Sequence, residues 1–265
     1  MNGLVYFKPS GLVRSTSSVI PGFCGGGIGF SYPTIPNSLL WVDYANSCTD
    51  ASGATPATAG GRVQTIRLPV GWGASLGDGL VRQDVALSKP RYDAGGLYNF
   101  LNVTFMLLPA TINLSGAFTA YFVINHNNIA YPHAVQSISG NAGTYGGVLA
   151  DFNSSNLRCY SDDAVTYIQS VSYTPATLCM VRIRRTSGNA MYFAATGLAE
   201  VSKGSTTYTW SLDRIMMRGG SVSEFTAQGV YHNQWVIIGA DTVTDGTDAV
   251  IQAALIAKTP GLTGI

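Results

Sequence analysis

The sequence is poor in charge. Charged residues make up 11% of its 265 positions, against about a quarter in an average soluble domain, so its surface must be Ser, Thr, Asn and Gly or be covered by partners. The formal net charge is +1, and without a basic excess neither nucleic acid nor a membrane is an expected partner. Glutamate is scarcest: Glu200 and Glu224 are the only two. A glucanase-type strand, Glu-x-Asp-x-x-Glu, would set acid and nucleophile across a glycosidic bond at about 5 Å. No such strand exists here, and that chemistry is excluded. His126, His133 and His232 are not spaced as metal ligands. Cys24, Cys48, Cys159 and Cys179 include no C-x-x-C pair, which argues against zinc and dithiol chemistry and for buried, reduced thiols. No apolar run is long enough to span a bilayer and none has signal-peptide form, so the chain is expected to be made in the cytosol and to stay soluble.

What is present is short-period apolar patterning. Leu178 to Gly197 reads LCMVRIRR, the turn TSGN, then AMYFAATG. Its first arm alternates Met180, Val181 and Ile183 with Arg182 and Arg184, which points to a β-hairpin whose arginines face outward into solvent. Two strands cannot bury their own apolar face, so the hairpin must sit inside a larger sheet. Phe118 to Asn125, FTAYFVIN, is nearly continuous apolar and reads as a strand buried on both faces. Further strands are expected at Leu39 to Tyr44, Arg62 to Leu68, 147–153, 156–160, 165–171, Thr206 to Leu212, Arg214 to Met217 and Gly229 to Gly239. One helix is expected near the end. Thr244 or Asp245 would cap it, Ala249, Ile251, Leu255 and Ile256 would form its apolar stripe, and Pro260 and Gly261 would stop it. The fold class is all-β, a two-sheet antiparallel sandwich over residues 38–265 with one short C-terminal helix.

Residues 1–37 differ in texture. Pro9, Pro21, Pro33 and Pro36 punctuate them, and Leu4, Val5, Tyr6, Phe7, Leu12 and Val13 keep no period. They read as an extended arm whose apolar residues contact another protein chain.

Sites of chemistry are few. Gly73 to Gly77 spells G-x-S-x-G, but glycine-rich flanks do not build the strand-to-helix elbow that such a serine needs. Asp241, Asp245 and Asp248 could offer oxygens to calcium, although helix capping and the positive helix end explain Asp245 and Asp248 more simply. No cofactor is expected. Tyr131, Tyr145 and Tyr160 are candidates for stacking on sugars, and Arg182, Arg184 and Arg185 form the only basic cluster.

The run Leu40 to Val63 resembles the opening of concanavalin A-like, laminin-G-like jelly-roll domains of tailed-phage virion proteins. Leu40, Trp41 and Asp43 match a Leu-Trp-x-Asp start. Asp50, Gly53, Thr55, Pro56, Ala57, Thr58 and Gly61 match the loop that follows it, and Ser88 to Arg91 resembles an S-R-P-x stretch with Lys89 in place of Arg. The resemblance covers roughly residues 39–260 and implies a jelly roll. It implies a non-enzymatic virion protein assembled in the host cytoplasm, decorating the capsid through its arm, with major capsid or other virion proteins as partners and homo-oligomer or lattice contacts. The alternative is an adhesin of a phage tail or fibre that binds host surface glycans. The fold serves lectins, glycosidases and structural modules alike, so the site must decide.

Overall fold

The computed structural model describes residues 31–43, 48–54, 59–73, 76–86, 89–93, 96–98, 106–125, 133–137, 147, 149–152, 156–160, 167–172, 178–215 and 231–265. Among these, two antiparallel sheets of nine strands pack face to face. The first runs from Leu198–Ser205 through Ala190–Ala195, Leu178–Arg185, Phe118–Asn125, Tyr231–Ile238, Gly96–Tyr98 and Arg91–Asp93 to Ala59–Arg62, with Ser38–Asp43 also paired to Tyr231–Ile238. The second runs from Tyr167–Ser172 through Asn156–Tyr160, Ala150–Phe152, His133–Ser137, Trp210–Ile215, Met106–Leu114, Leu80–Arg82 and Thr65–Arg67 to Cys48–Thr49. The expected sandwich and the late helix are both present.

Register decides which residues meet. Phe118–Asn125 lies between Leu178–Arg185 and Tyr231–Ile238, with Phe122 opposite Val181 and Trp235, and Tyr121 opposite Arg182 and Val236. Side chains alternate along each strand. Ala120, Phe122, Ile124, Val181, Ile183, Trp235 and Ile237 therefore enter the core between the sheets. Tyr121, Val123, Met180, Val236 and Ile238 enter a second apolar cluster on the other face, beneath the helix Asp248–Lys258. The first sheet is covered on both sides, which is why its central strand is apolar throughout. Cys48, Cys159 and Cys179 are buried thiols.

The hairpin turns where expected. Thr186 N–H donates to Ala190 O at 3.0 Å, and Asn189 takes a positive φ of 67°, which Asn tolerates. Three details differ from expectation. The helix begins at Asp248 after Thr247, because Gly246 at φ 81° breaks any earlier start; Thr244 and Asp245 lie in the preceding turn. Of the expected stripe, Ile251 and Leu255 are buried, while Ala249 and Ile256 are exposed. The two strands expected at Thr206 to Leu212 and Arg214 to Met217 form one, Trp210–Ile215, with a register shift between Leu212 and Arg214 opposite Met106–Leu114. Pro109 sits in the matching irregular stretch, where its missing N–H disrupts no regular ladder bond. Tyr32 and Ile35, within the segment read as an arm, pack onto the second cluster.

Candidate functional site

The outer face of the first sheet carries most of the charge chemistry, and it is closed. Arg182 and Arg184 point away from the inter-sheet core, but they are not solvated: each is 6% exposed. The turn before the helix, the helix itself and the edge strand Leu198–Ser205 bring acids over them. Arg184 grips Glu200 with two N–H groups, Nε to Oε2 at 2.9 Å and Nη2 to Oε1 at 2.5 Å, while Nη1 reaches Asp241 Oδ2 at 2.9 Å. Such bidentate pairs are among the stronger hydrogen bonds in proteins. Arg182 bridges Glu200 Oε2 at 2.7 Å and Asp248 Oδ1 at 2.5 Å. The Tyr192 ring lies against Arg184, 3.9 Å from centroid to guanidinium carbon. The hydrogen bond from Arg184 holds the Glu200 carboxyl below its usual range, and burial beside Asp248 pushes the Tyr121 hydroxyl up. The basic cluster is thus an internal network, a correction to the solvent-facing expectation.

That network also engages the calcium candidates. Asp241 accepts from Arg184 and from Thr244 Oγ1 at 2.7 Å, and Asp248 accepts from Arg182 and from Gln252 Nε2 at 2.7 Å. Asp245 Oδ1 accepts from Thr247 N–H at 3.0 Å. Among the described residues no group of three His, Cys, Asp or Glu side chains is placed to hold a metal ion. Arg185 has the opposite parity and is fully buried at one end of the sandwich, donating to the carbonyls of Gly116, Leu114 and Tyr208.

The matched start of the chain is structural. Leu40 fills the inter-sheet core, and Trp41 fills the second cluster with Nε1 donating to Gln234 Oε1 at 3.0 Å. Asp43 Oδ2 accepts from Lys258 Nζ at 2.5 Å and from the Tyr32 hydroxyl at 2.7 Å, fastening the helix end to the sheet.

The outer face of the second sheet is different. Arg67, Arg82, Leu107, Thr111 and Asn113 are exposed on its strands. A cavity of about 430 Å³ there is lined by Asp78, Leu80, Arg82, Asp84, Leu107, Leu108 and Pro109, with Arg82 paired to Asp78 and Leu107 44% exposed. A second cavity, about 310 Å³, lies where the chain passes from the edge strand Ala59–Arg62 of the first sheet to Thr65–Arg67 of the second. It is lined by Asp50, Ala51, Ser52, Arg62, Ala86 and Lys89. The loop at Asp50 is pinned by its own carboxylate, Oδ1 accepting from Ser52 N–H at 2.8 Å, Ser52 Oγ at 2.6 Å and Ala54 N–H at 3.1 Å. The Ser52 hydrogen bond draws the Asp50 pKa down. Val63 N–H donates to Pro90 O at 2.9 Å and Gln64 N–H to Thr49 O at 2.8 Å, which brings Asp50 and Lys89, one from each matched stretch, to one cavity. The Gln64 amide joins both cavities: its Oε1 accepts from Lys89 Nζ at 2.8 Å and its Nε2 donates to Asp84 Oδ1 at 3.2 Å.

Of the glycan candidates, Tyr131 and Tyr145 lie outside the described residues, and Tyr160 closes the strand Asn156–Tyr160 opposite Tyr167 with its side chain outside them. Leu4, Val5, Tyr6, Phe7, Leu12 and Val13 are also outside the described residues. Ser75 of the G-x-S-x-G string is too, and the described chain after it runs into the strand Leu80–Arg82, not a helix. Sequence reasoning missed both cavities.

Fold and site together define a β-sandwich protein. Comparisons with known protein families and with curated protein sequences find no match. Among solved structures the chain is similar to Trypanosoma rangeli sialidase, at 8% identity and TM-score 0.50 over 88% of this chain and 35% of that one. It is also similar to a mutant GH54 α-l-arabinofuranosidase, at 9% identity and TM-score 0.49 over 88% and 63%. A third is the ligand binding domain of botulinum neurotoxin serotype D in complex with N-acetylneuraminic acid, at 11% identity and TM-score 0.47 over 83% and 52%. The chain therefore spans about a third of the sialidase and half of the neurotoxin domain. At these identities the likeness shows the β-sandwich alone.

Proposed function

We propose that this chain is a non-catalytic recognition module of the adhesin kind, binding glycans with the outer face of its second sheet. The observation that carries the reading is the asymmetry between the two outer faces. On the first sheet, Glu200, Asp241 and Asp248 are engaged by arginines beneath the helix. Glu200, held ionised by Arg184, is a poor proton donor near neutral pH. On the second sheet, carboxylates, a guanidinium and an apolar floor of Leu107 and Pro109 share one open cavity. Fixed polar groups around apolar surface are what a saccharide, with hydroxyl edges and C–H faces, requires. Capsid decoration is the less supported reading, since it depends on arm contacts at residues 4–13. Display on a phage tail or fibre is the setting we propose for the recognition module.

The test is a glycan array probed with the full chain, alongside Arg82→Ser and Leu107→Ser, both solvent-facing changes. Saturable binding, weakened at least about tenfold by either substitution, is the expected result; about 1.4 kcal/mol corresponds to that factor. Absence of saturable binding, or binding untouched by both changes, overturns the proposal.

A further inference from the structure

The geometry points to an anion subsite in the seam cavity, where Lys89 and Arg62 receive the carboxylate of an acidic sugar and Asp50 accepts from its hydroxyls. The inference rests on the glycan-recognition reading and names the ligand class. Lys89 is 9% exposed, yet among the described residues the one hydrogen-bond acceptor for its ammonium is the neutral Gln64 amide oxygen at 2.8 Å. An ammonium has three donors, and burying one without a counter-charge is unfavourable. Arg62 donates to Ala86 O at the same cavity, and among the described residues no carboxylate pairs with Lys89 or Arg62. Among the described residues Asp50 is the one acid in the lining, and Ser52 and Ala54 already draw on its Oδ1. Two cations and one acid leave the cavity at a formal +1. On the first sheet the buried arginines are answered internally, Arg182 and Arg184 by acids and Arg185 by carbonyls. Here the compensating charge is left to a ligand. A volume of about 310 Å³ is at the lower end of small-ligand sites, roughly 300–1,000 Å³, and suits one sugar ring. The Gln64 amide accepts from Lys89 and donates to Asp84, which carries the subsite to the neighbouring cavity, so that a second sugar unit can lie along Leu107.

Titration of the full chain with D-glucuronic acid, D-glucose and glucose 6-phosphate, read by calorimetry or ligand-observed NMR, tests the subsite. Glucuronate should bind measurably tighter than glucose, lose affinity as salt is raised, and weaken about tenfold or more in Lys89→Gln. Arg62→Gln, at the half-exposed rim, should weaken it in the same direction and serves if Lys89→Gln fails to fold. Glucuronate binding equal to that of glucose, or unaffected in both seam variants, overturns the subsite while a positive glycan array leaves the recognition reading standing. A Lys89-dependent response to glucose 6-phosphate that exceeds the glucuronate response replaces the carboxylate by a phosphate and overturns the uronate assignment. A blank array with Lys89-dependent glucuronate binding keeps the subsite and removes the broader reading.

Discussion

Replacing Arg185 by methionine is expected to destabilise the fold by about 2–4 kcal/mol. Arg185 is fully buried and has no carboxylate partner among the described residues. Its guanidinium donates from Nε to Gly116 O at 2.7 Å, from Nη2 to Leu114 O at 2.8 Å and from Nη1 to Tyr208 O. Phe118 and Trp210 lie beside it, with centroids 5.2 and 5.6 Å from the guanidinium carbon. Leu114 and Tyr208 flank paired strands of the second sheet, whereas Arg185 ends a strand of the first, so this side chain ties the sheets together at one end. Methionine keeps the apolar stem and removes the donors. The buried Leu114 carbonyl left unmet costs about 1–3 kcal/mol and the part-buried Gly116 and Tyr208 carbonyls less each, and relief of guanidinium desolvation offsets part of the sum. Lysine, a single point donor, should recover only a fraction. Urea unfolding followed by tryptophan fluorescence would read the change as a midpoint lowered by on the order of 1 M. A methionine variant within about 0.5 kcal/mol of the parent, or more stable than it, would falsify the reasoning, because desolvation would then equal or outweigh the three hydrogen bonds.

What the sequence revealed follows from how local each cause is. Phe118–Asn125 was legible to the residue because a strand covered on both faces is apolar at nearly every step, and no partner needs to be known to see it. The TSGN turn was legible because Asn189 supplies its own positive φ. Leu198–Ser205 was not, since it is an exposed edge strand whose polar residues carry no alternation. The arginines show the limit most clearly. Period two correctly turns Arg182 and Arg184 away from the inter-sheet core, but whether that direction leads to water depends on acids from 200 to 248. A hint was available: Arg-x-Arg-Arg sits on one strand, and Asp241, Asp245 and Asp248 cluster at the start of the helix Asp248–Lys258. The seam cavity gave no such hint. Asp50 and Lys89 are brought together by backbone hydrogen bonds of Val63 and Gln64, which no local pattern announces.

Two further predictions concern the covered face. Asp43→Asn should destabilise by about 3–5 kcal/mol, since it takes the Asp43 counter-charge away from the buried Lys258 ammonium; hydrogen exchange should quicken in the helix Asp248–Lys258, and pairing the change with Lys258→Met should restore part of the loss. Unchanged exchange in the single variant would contradict the fastening role. Glu200 supplies a pH dependence. Its folded pKa lies below the ordinary 4.5 because Arg184 and Arg182 favour the ionised form. A depressed carboxyl binds fewer protons folded than unfolded, so its stabilisation is fully present above about pH 5 and is lost as pH falls through the folded value. Glu200→Gln should therefore flatten the fall in thermal midpoint between about pH 5 and pH 3. At pH 7 the variant should cost only about 1 kcal/mol, because Glu200 is partly exposed and Asp241 and Asp248 still answer the arginines. Parallel stability curves for variant and parent across that acid window would show that the network's carboxylate strength resides elsewhere.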